Sequence, residues 1–208
     1  LCLEYTDKKK KLEQKIRKIC STISEIRRTT GKIVEKRIVE ILKDLSMENA
    51  DFKINITEKE GFDENGFDNV EFLISTNVSE DLKPLAKVAS GGEISRVMLA
   101  IKSIFAQSDD INTVIFDEID TGISGKASQS VADEILELSK YHQIIVITHQ
   151  AIIASKSDKH FYVRKTQDGT TSVDISVLEG DRKLKAIAEL AGGEVTEESL
   201  KFAQTLMG

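Results

Sequence analysis

An apolar run, Val114-Ile115-Phe116, delivers two adjacent carboxylates, Asp117 and Glu118. Side chains alternate along a strand, so neighbouring acids point apart and can do different work. One can hold Mg2+, usually through its waters, while the other orients a water for in-line attack on a phosphoryl group. A second stretch, Ser90-Gly91-Gly92-Glu93, opens an apolar helical pattern. Two glycines there let backbone N–H groups approach an anion, Ser90 adds a hydroxyl, and the helix amino end favours negative charge. The third is Thr148-His149-Gln150, directly after the apolar run Ile144 to Ile147. A histidine at the end of a buried strand can donate a hydrogen bond to a terminal phosphate. Taken singly, each stretch also suits an ordinary role: a strand ending in a polar loop, an N-cap, a polar strand end. Their order and spacing unite them, because all three fall where one sheet edge can present them to one nucleotide.

The elements that must position these residues follow from periodicity. Leu12, Ile16, Ile19, Ile23, Ile26, Thr30 and Ile33 step by four and three, a heptad seam with charged residues between. After Gly31 the apolar set shifts to Val34, Ile38, Ile41, Leu42 and Leu45, so the helix is expected to leave a coiled-coil partner there and to pack on a globular body. Residues 46–51 end it. Phe52, Ile54 and Ile56 alternate, a turn-rich stretch spans Glu60 to Asn69, and Val70, Phe72 and Ile74 alternate again, which predicts strand, loop and returning strand. Pro84 falls in a loop before the glycine turn, and Ile94, Val97, Met98, Ile101, Ile104 and Phe105 predict a helix. The continuous runs 114–116 and 144–147, with a helix over 128–139 between them, predict a βαβ unit whose parallel strands are covered on both faces. Phe161 to Val163 and Val173 to Val177, around Asp168-Gly169, predict a hairpin. Two helices, about 182–190 and 196–207, close the chain.

Composition sets bounds. A chain of 208 residues with 40% hydrophobic content can bury one good core or two small ones. No apolar run approaches the roughly 20 residues of a membrane span, so no membrane partner is expected. Cys2 and Cys20 lack metal-ligand spacing, and a reducing compartment suits them. The net charge of −6 is uneven: residues 1–37 hold 12 Lys/Arg against 5 Asp/Glu, and the remainder holds 17 against 30. A basic helical end on an acidic body can meet a polyanion locally, although a solvated helix face has the same composition. Opening at Leu1 inside a helical pattern, the sequence reads as a fragment of something longer.

The motifs resemble those of ABC ATPases. Ala89 to Glu93 looks like the signature loop, Thr113 to Glu118 like a Walker B strand, Asp120-Thr121-Gly122-Ile123-Ser124 like the D-loop, and Thr148-His149 like the switch histidine. Within that superfamily, residues 84–96, 116–125 and the stretch Leu190-Ala191-Gly192-Gly193-Glu194-Val195-Thr196 resemble the RecN family of bacterial DNA-repair proteins, which are SMC-like. Ser124 stands where many ABC proteins carry the D-loop aspartate; a glycine-rich D-loop is what the RecN resemblance implies. No segment reads G-x-x-x-x-G-K-[ST], the Walker A pattern. Gly122-Ile123-Ser124-Gly125-Lys126-Ala127 has too short a glycine spacing and ends in alanine.

The resemblance implies an α/β fold, the carboxy-terminal lobe of an ABC/SMC-type head, with a parallel-strand core, flanking helices and a β-hairpin. Residues 1–45 would be the end of a coiled coil entering the head, and 46–208 the lobe itself. It implies ATP and Mg2+ as ligands, with Asp117 on the metal, Glu118 activating water, His149 on the γ-phosphate, and Ser90, Gly91, Gly92, Glu93, Asp120 and Gly122 around the nucleotide. The partners implied are the amino-terminal lobe of the same protein, a second copy across sandwiched ATP, and DNA, in a cytoplasmic, nucleoid-associated setting. This chain alone, without Walker A, is expected to be inactive. Two other classes compete: a scaffold module that assembles without turnover, and a transporter ATPase subunit, which the coiled-coil lead-in disfavours.

Overall fold

The computed structural model describes residues 2–88, 91–168 and 170–208. Its contacts divide the chain into two compact units, residues 1–43 with 47–89, and residues 44–46 with 90–208.

The first unit is a long helix laid on a small sheet. Helix α1 runs Cys2–Asp44, and the antiparallel sheet has the order β1 (Asp51–Asp63), β2 (Gly66–Ser75), β3 (Lys83–Pro84). Along the heptad, Leu12, Ile19, Ile26 and Ile33 are 58–67% exposed, and Ile16 and Ile23 are half-buried. The opposite side of α1 packs on the sheet. Gly31 lets the helix backbone approach Ile54, whose Cδ1 would stand 3.8 Å from an added Cβ. The Glu35 carboxylate accepts the Ile54 N–H at 2.7 Å. Arg27 Nη1 donates to Asp68 Oδ2 at 2.9 Å, where the Asp68 side chain is almost fully buried.

Two expectations change here. Packing of α1 begins at buried Cys20 and Ser24 and not after Gly31. The reason is the length of the hairpin beneath it. The stretch Glu60 to Asn69 is not a loop, because β1 continues to Asp63 and β2 starts at Gly66. Asp63 Oδ1 accepts the Asn65 N–H at 2.8 Å to close a tight turn, and a register shift between Glu58 and Asp63 absorbs Gly61, whose φ is +83°. Turn-forming residue types thus sit inside a bulged strand.

In the second unit, β4 (Thr113–Phe116) pairs in parallel with β5 (Gln143–Val146), connected by α3 (Lys126–Leu138). Helix α2 (Gly91–Phe105) precedes β4, with Val97, Leu99 and Ala100 fully buried. Helix α4 (Ala151–Ser155) follows β5. An antiparallel ribbon, β6 (His160–Asp168) and β7 (Thr170–Leu178), leads to α5 (Asp181–Gly192) and α6 (Glu197–Met207). Ala151, Ile187, Ala188 and Ala203 unite α4, α5 and α6 in one apolar cluster. The turn between α5 and α6 has its own chemistry: Gly193 takes φ +76° at the α5 C-cap, and Thr196 caps α6 through a reciprocal box with Ser199.

The parallel pair corrects a third expectation. Val114, Ile144 and Val146 are half-buried and Phe116 is buried, but the alternate row is open, with Ile115, Ile145 and Ile147 at 62%, 44% and 56% exposure. Residues that read as doubly covered have one face bare. The ribbon repeats the pattern. Phe161 pairs with Val177 and Val163 with Ile175, and all four, with Val173, are exposed on one face.

Candidate functional site

Parallel pairing places the carboxyl ends of β4 and β5 side by side, and Ile147 N–H donates to Phe116 O at 3.0 Å as the last rung. The segments leaving the two strands are therefore held together. After β4 the chain turns sharply: Thr121 N–H returns to Glu118 O at 3.0 Å. Glu118 adopts φ +56°, a left-handed conformation that costs a non-glycine residue about 1 kcal/mol or more. Asp117 and Glu118 are exposed, whereas Ile119 and Asp120 are buried. The turn pulls the next residues inward and leaves the acidic pair outward.

Helix α2 braces this turn from below. Ser95 Oγ donates to Asp117 O at 2.7 Å, and Arg96 Nη1 donates to Ile119 O at 3.3 Å and Thr121 O at 3.0 Å. Burial pushes the Arg96 guanidinium below its ordinary range, with Glu93 acting in the opposite sense. The glycines at the start of α2 lie against the same turn. A Cβ at Gly92 would stand 2.9 Å from Thr121 Cβ and 3.0 Å from the carbonyl oxygens of Glu118 and Thr121. A Cβ at Gly91 would overlap the Glu118 carboxylate. At Gly92 the close approach of two backbones, and not flexibility, requires glycine, whereas at Gly91 the neighbour is the end of the Glu118 side chain.

The loop after β5 is tied to the same turn by one carboxylate. Asp120 Oδ2 accepts from Thr148 Oγ1 at 2.5 Å and from the His149 N–H at 2.9 Å, and His149 Nδ1 stands 3.1 Å away. The Gln150 N–H donates to Thr148 Oγ1 at 3.0 Å, and Gln150 Nε2 donates to Ile123 O at 3.2 Å. The His149 side chain is 70% exposed.

The structure thus gathers Gly91, Gly92 and Glu93 with Asp117, Glu118, Asp120, Gly122 and His149 at one end of the unit; Ser90 lies outside the described residues. Gly122 takes φ +76° in the turn. Sequence reasoning missed Ser95 and Arg96 as braces. A signal existed for Arg96: it shares a helical stripe with Leu99 and Ala100, both fully buried, and a cation on an apolar stripe needs buried acceptors.

Among the described residues, no group of three or more His, Cys, Asp and Glu side chains could hold a metal ion alone. Mg2+ characteristically takes one or two carboxylates and completes its shell with substrate phosphates and water. The exposed Asp117–Glu118 pair fits that share.

No family model matches the chain. Among curated proteins, it is 38% identical to the DNA repair protein RecN of Halalkalibacterium halodurans over 99% of this chain and 39% of that protein. It is 40% identical to the DNA repair protein RecN of Bacillus subtilis over 90% of this chain and 35% of that one. Among solved structures, the Smc head domain with a coiled coil and joint from Pyrococcus yayanosii matches with a TM-score of 0.53 at 24% identity, covering 91% of this chain and 36% of that one. That likeness concerns the fold, which is that of an SMC-type head. The chain spans little more than a third of the length of the curated relatives it matches. Over nearly its whole length, the chain is similar to a segment of the proteins named DNA repair protein RecN.

Proposed function

We propose that this chain is the carboxy-terminal lobe of an ATP-hydrolysing head in an SMC-like protein of recombinational DNA double-strand-break repair. The observation that carries the reading is the convergence, at one end of β4 and β5, of an exposed carboxylate pair and an exposed histidine. Asp117 holds Mg2+, which neutralises phosphate charge when bound. Glu118 orients the attacking water, and His149 donates to the terminal phosphate. Gly91 and Gly92 present backbone N–H groups from one head to the nucleotide of a second copy, Ser90 adds a hydroxyl, and Asp120 and Gly122 shape the intervening turn.

The bare apolar faces support the view that the lobe is incomplete. Ile115, Ile145 and Ile147 on one sheet, and Phe161, Val163 and Ile175 on the ribbon, are all exposed. More than half of each relative lies outside this match, and the amino-terminal lobe is the segment that covers them. The exposed seam of α1 is the returning arm of a coiled coil, so residues 1–45 lead into a lobe formed by 46–208. The basic excess of residues 1–37 gives DNA a local contact. Among the described residues no helix is long and apolar enough to cross a membrane; the setting we assign is the cytoplasm, at the nucleoid.

The test is Glu118→Gln in the full-length protein, which keeps side-chain shape and removes the group that orients water. ATP binding persists and turnover falls by about a hundredfold or more. A wild-type rate in that variant overturns the hydrolytic reading and leaves the scaffold reading, in which the same residues only assemble heads.

A further inference from the structure

We infer that Asp120 is a positioning residue: it sets the Thr148-His149 loop, and through it the imidazole, and does not touch the nucleotide. The inference deepens the proposed function and rests on it. Asp120 is only 2% exposed, unlike Asp117 and Glu118 on the same turn. A buried carboxylate must be held by donors, and Oδ2 has them from one place, the Thr148 hydroxyl and the His149 backbone N–H. Charge-assisted bonds of this kind are among the stronger ones in a fold.

These bonds fix more than a loop. With Nδ1 at 3.1 Å from Oδ2, the ring is turned so that its other nitrogen, Nε2, faces away from the carboxylate, and the side chain remains 70% exposed. A partner on one ring nitrogen decides what the other can offer. The bonds from Gln150 to Thr148 and to Ile123 O close the circuit. The turn that presents Glu118 and the loop that presents His149 therefore form one hydrogen-bonded body. Displacement of either carries the other.

The experiment uses the full-length protein with Asp120→Ala, Asp120→Asn, His149→Ala and the Asp120→Ala/His149→Ala double variant. ATP affinity is measured by calorimetry, turnover under saturating ATP, and amide exchange over 147–150 by mass spectrometry. Expected are ATP affinities within about threefold of wild type for the two Asp120 single variants, turnover reduced about tenfold or more by each alanine variant, and a double variant no slower than His149→Ala, because residues acting as one unit are not additive. Exchange over 147–150 rises in Asp120→Ala. In Asp120→Asn, which keeps an acceptor and the shape, exchange stays near wild type, a control if the alanine variant folds poorly. A tenfold or larger loss of ATP affinity in Asp120→Asn makes Asp120 a nucleotide ligand and overturns the inference. So does unchanged exchange in a folded Asp120→Ala, or multiplied effects in the double variant. If exchange rises as expected but His149→Ala hydrolyses ATP at the wild-type rate, the hydrolytic role of His149 fails while the anchoring by Asp120 stands.

Discussion

Replacing Arg96 by methionine keeps the length and apolar stem of a buried side chain while deleting the guanidinium that braces the Glu118 turn. Arg96 makes two hydrogen bonds to carbonyl oxygens, 3.3 Å to Ile119 and 3.0 Å to Thr121. Bonds from a charged donor contribute about 1.5–3 kcal/mol each, so their gross loss is about 3–6 kcal/mol. Two effects offset it. The 3.3 Å bond is long, and its share sits at the weak end. Burial already disfavours the charge, which is why the guanidinium is pushed below its ordinary range, and Nε is buried without a partner. Removing a group so poorly solvated returns part of the loss. A net destabilisation of about 2 kcal/mol remains, equivalent to a fall of roughly 4–8 °C in Tm for a chain of this size. Calorimetric melting of the 208-residue chain reads it. Exchange at 118–121 should rise in parallel, because Ile119 O and Thr121 O lose their brace from α2. Arg96→Lys, with one donor head in place of a fork, should fall between. A Tm within 1 °C of wild type for Arg96→Met, with unchanged exchange at 118–121, would refute the claim that this side chain holds the turn.

Gly92→Ala gains helix propensity of about 1 kcal/mol but places a methyl within 2.9–3.0 Å of Thr121 Cβ and two carbonyl oxygens. Overpacking of about 1–3 kcal/mol should outweigh the gain, giving a lower Tm, and a rise in Tm would show that the turn yields freely. His160 titrates below its ordinary value of 6.5, chiefly through burial and then through Lys183. Its unfolded form therefore binds a proton first as pH falls, and stability should decline from about pH 6.5 downward until folded His160 also titrates. Denaturant titrations at pH 7.5 and 5.5 should show this slope, and His160→Phe should flatten it. Arg27→Met strands the buried Asp68 carboxylate, whose Oδ1 already lacks a partner. It should cost about 1–3 kcal/mol, and Asp68→Asn in the same chain should recover part of that; equal melting of all three would show that the ion pair does not hold α1 to the sheet.

The fold was legible where periodicity and burial agree. The heptad of α1, the helix after the glycine turn, the β4-α3-β5 unit and the terminal helices all lie where the apolar spacing puts them. It failed where one residue type has two uses. Gly61, Asp63 and Gly66 are turn formers in composition, yet only Glu64 and Asn65 lie between the strands, because a bulge accommodates Gly61 within β1. Ile115, Ile145 and Ile147 misled for a different reason. A continuous apolar run is the same in composition whether one face or both are covered, and here only the row with Phe116 is buried while Ile115, Ile145 and Ile147 are exposed.

The site was legible as a set of types and spacings but not as a mechanical object. Asp117, Glu118 and His149 announce themselves at strand ends, since nothing else in an apolar run calls for charge there. The roles of Ser95, Arg96 and Asp120 depend on distances of 22 to 29 positions along the chain, closed only when β4 pairs with β5 and α2 lies beneath the turn. A sequence shows Asp120 as one more acid in an acidic loop. Burial to 2% exposure distinguishes it from its neighbours, and burial follows from the left-handed step at Glu118. The strained residue that sends the acidic pair outward also sends Asp120 inward to the histidine loop. Relaxing Glu118 to an ordinary conformation would therefore disturb both at once. Strain at this one residue couples the group that we assign to water with the group that we assign to phosphate.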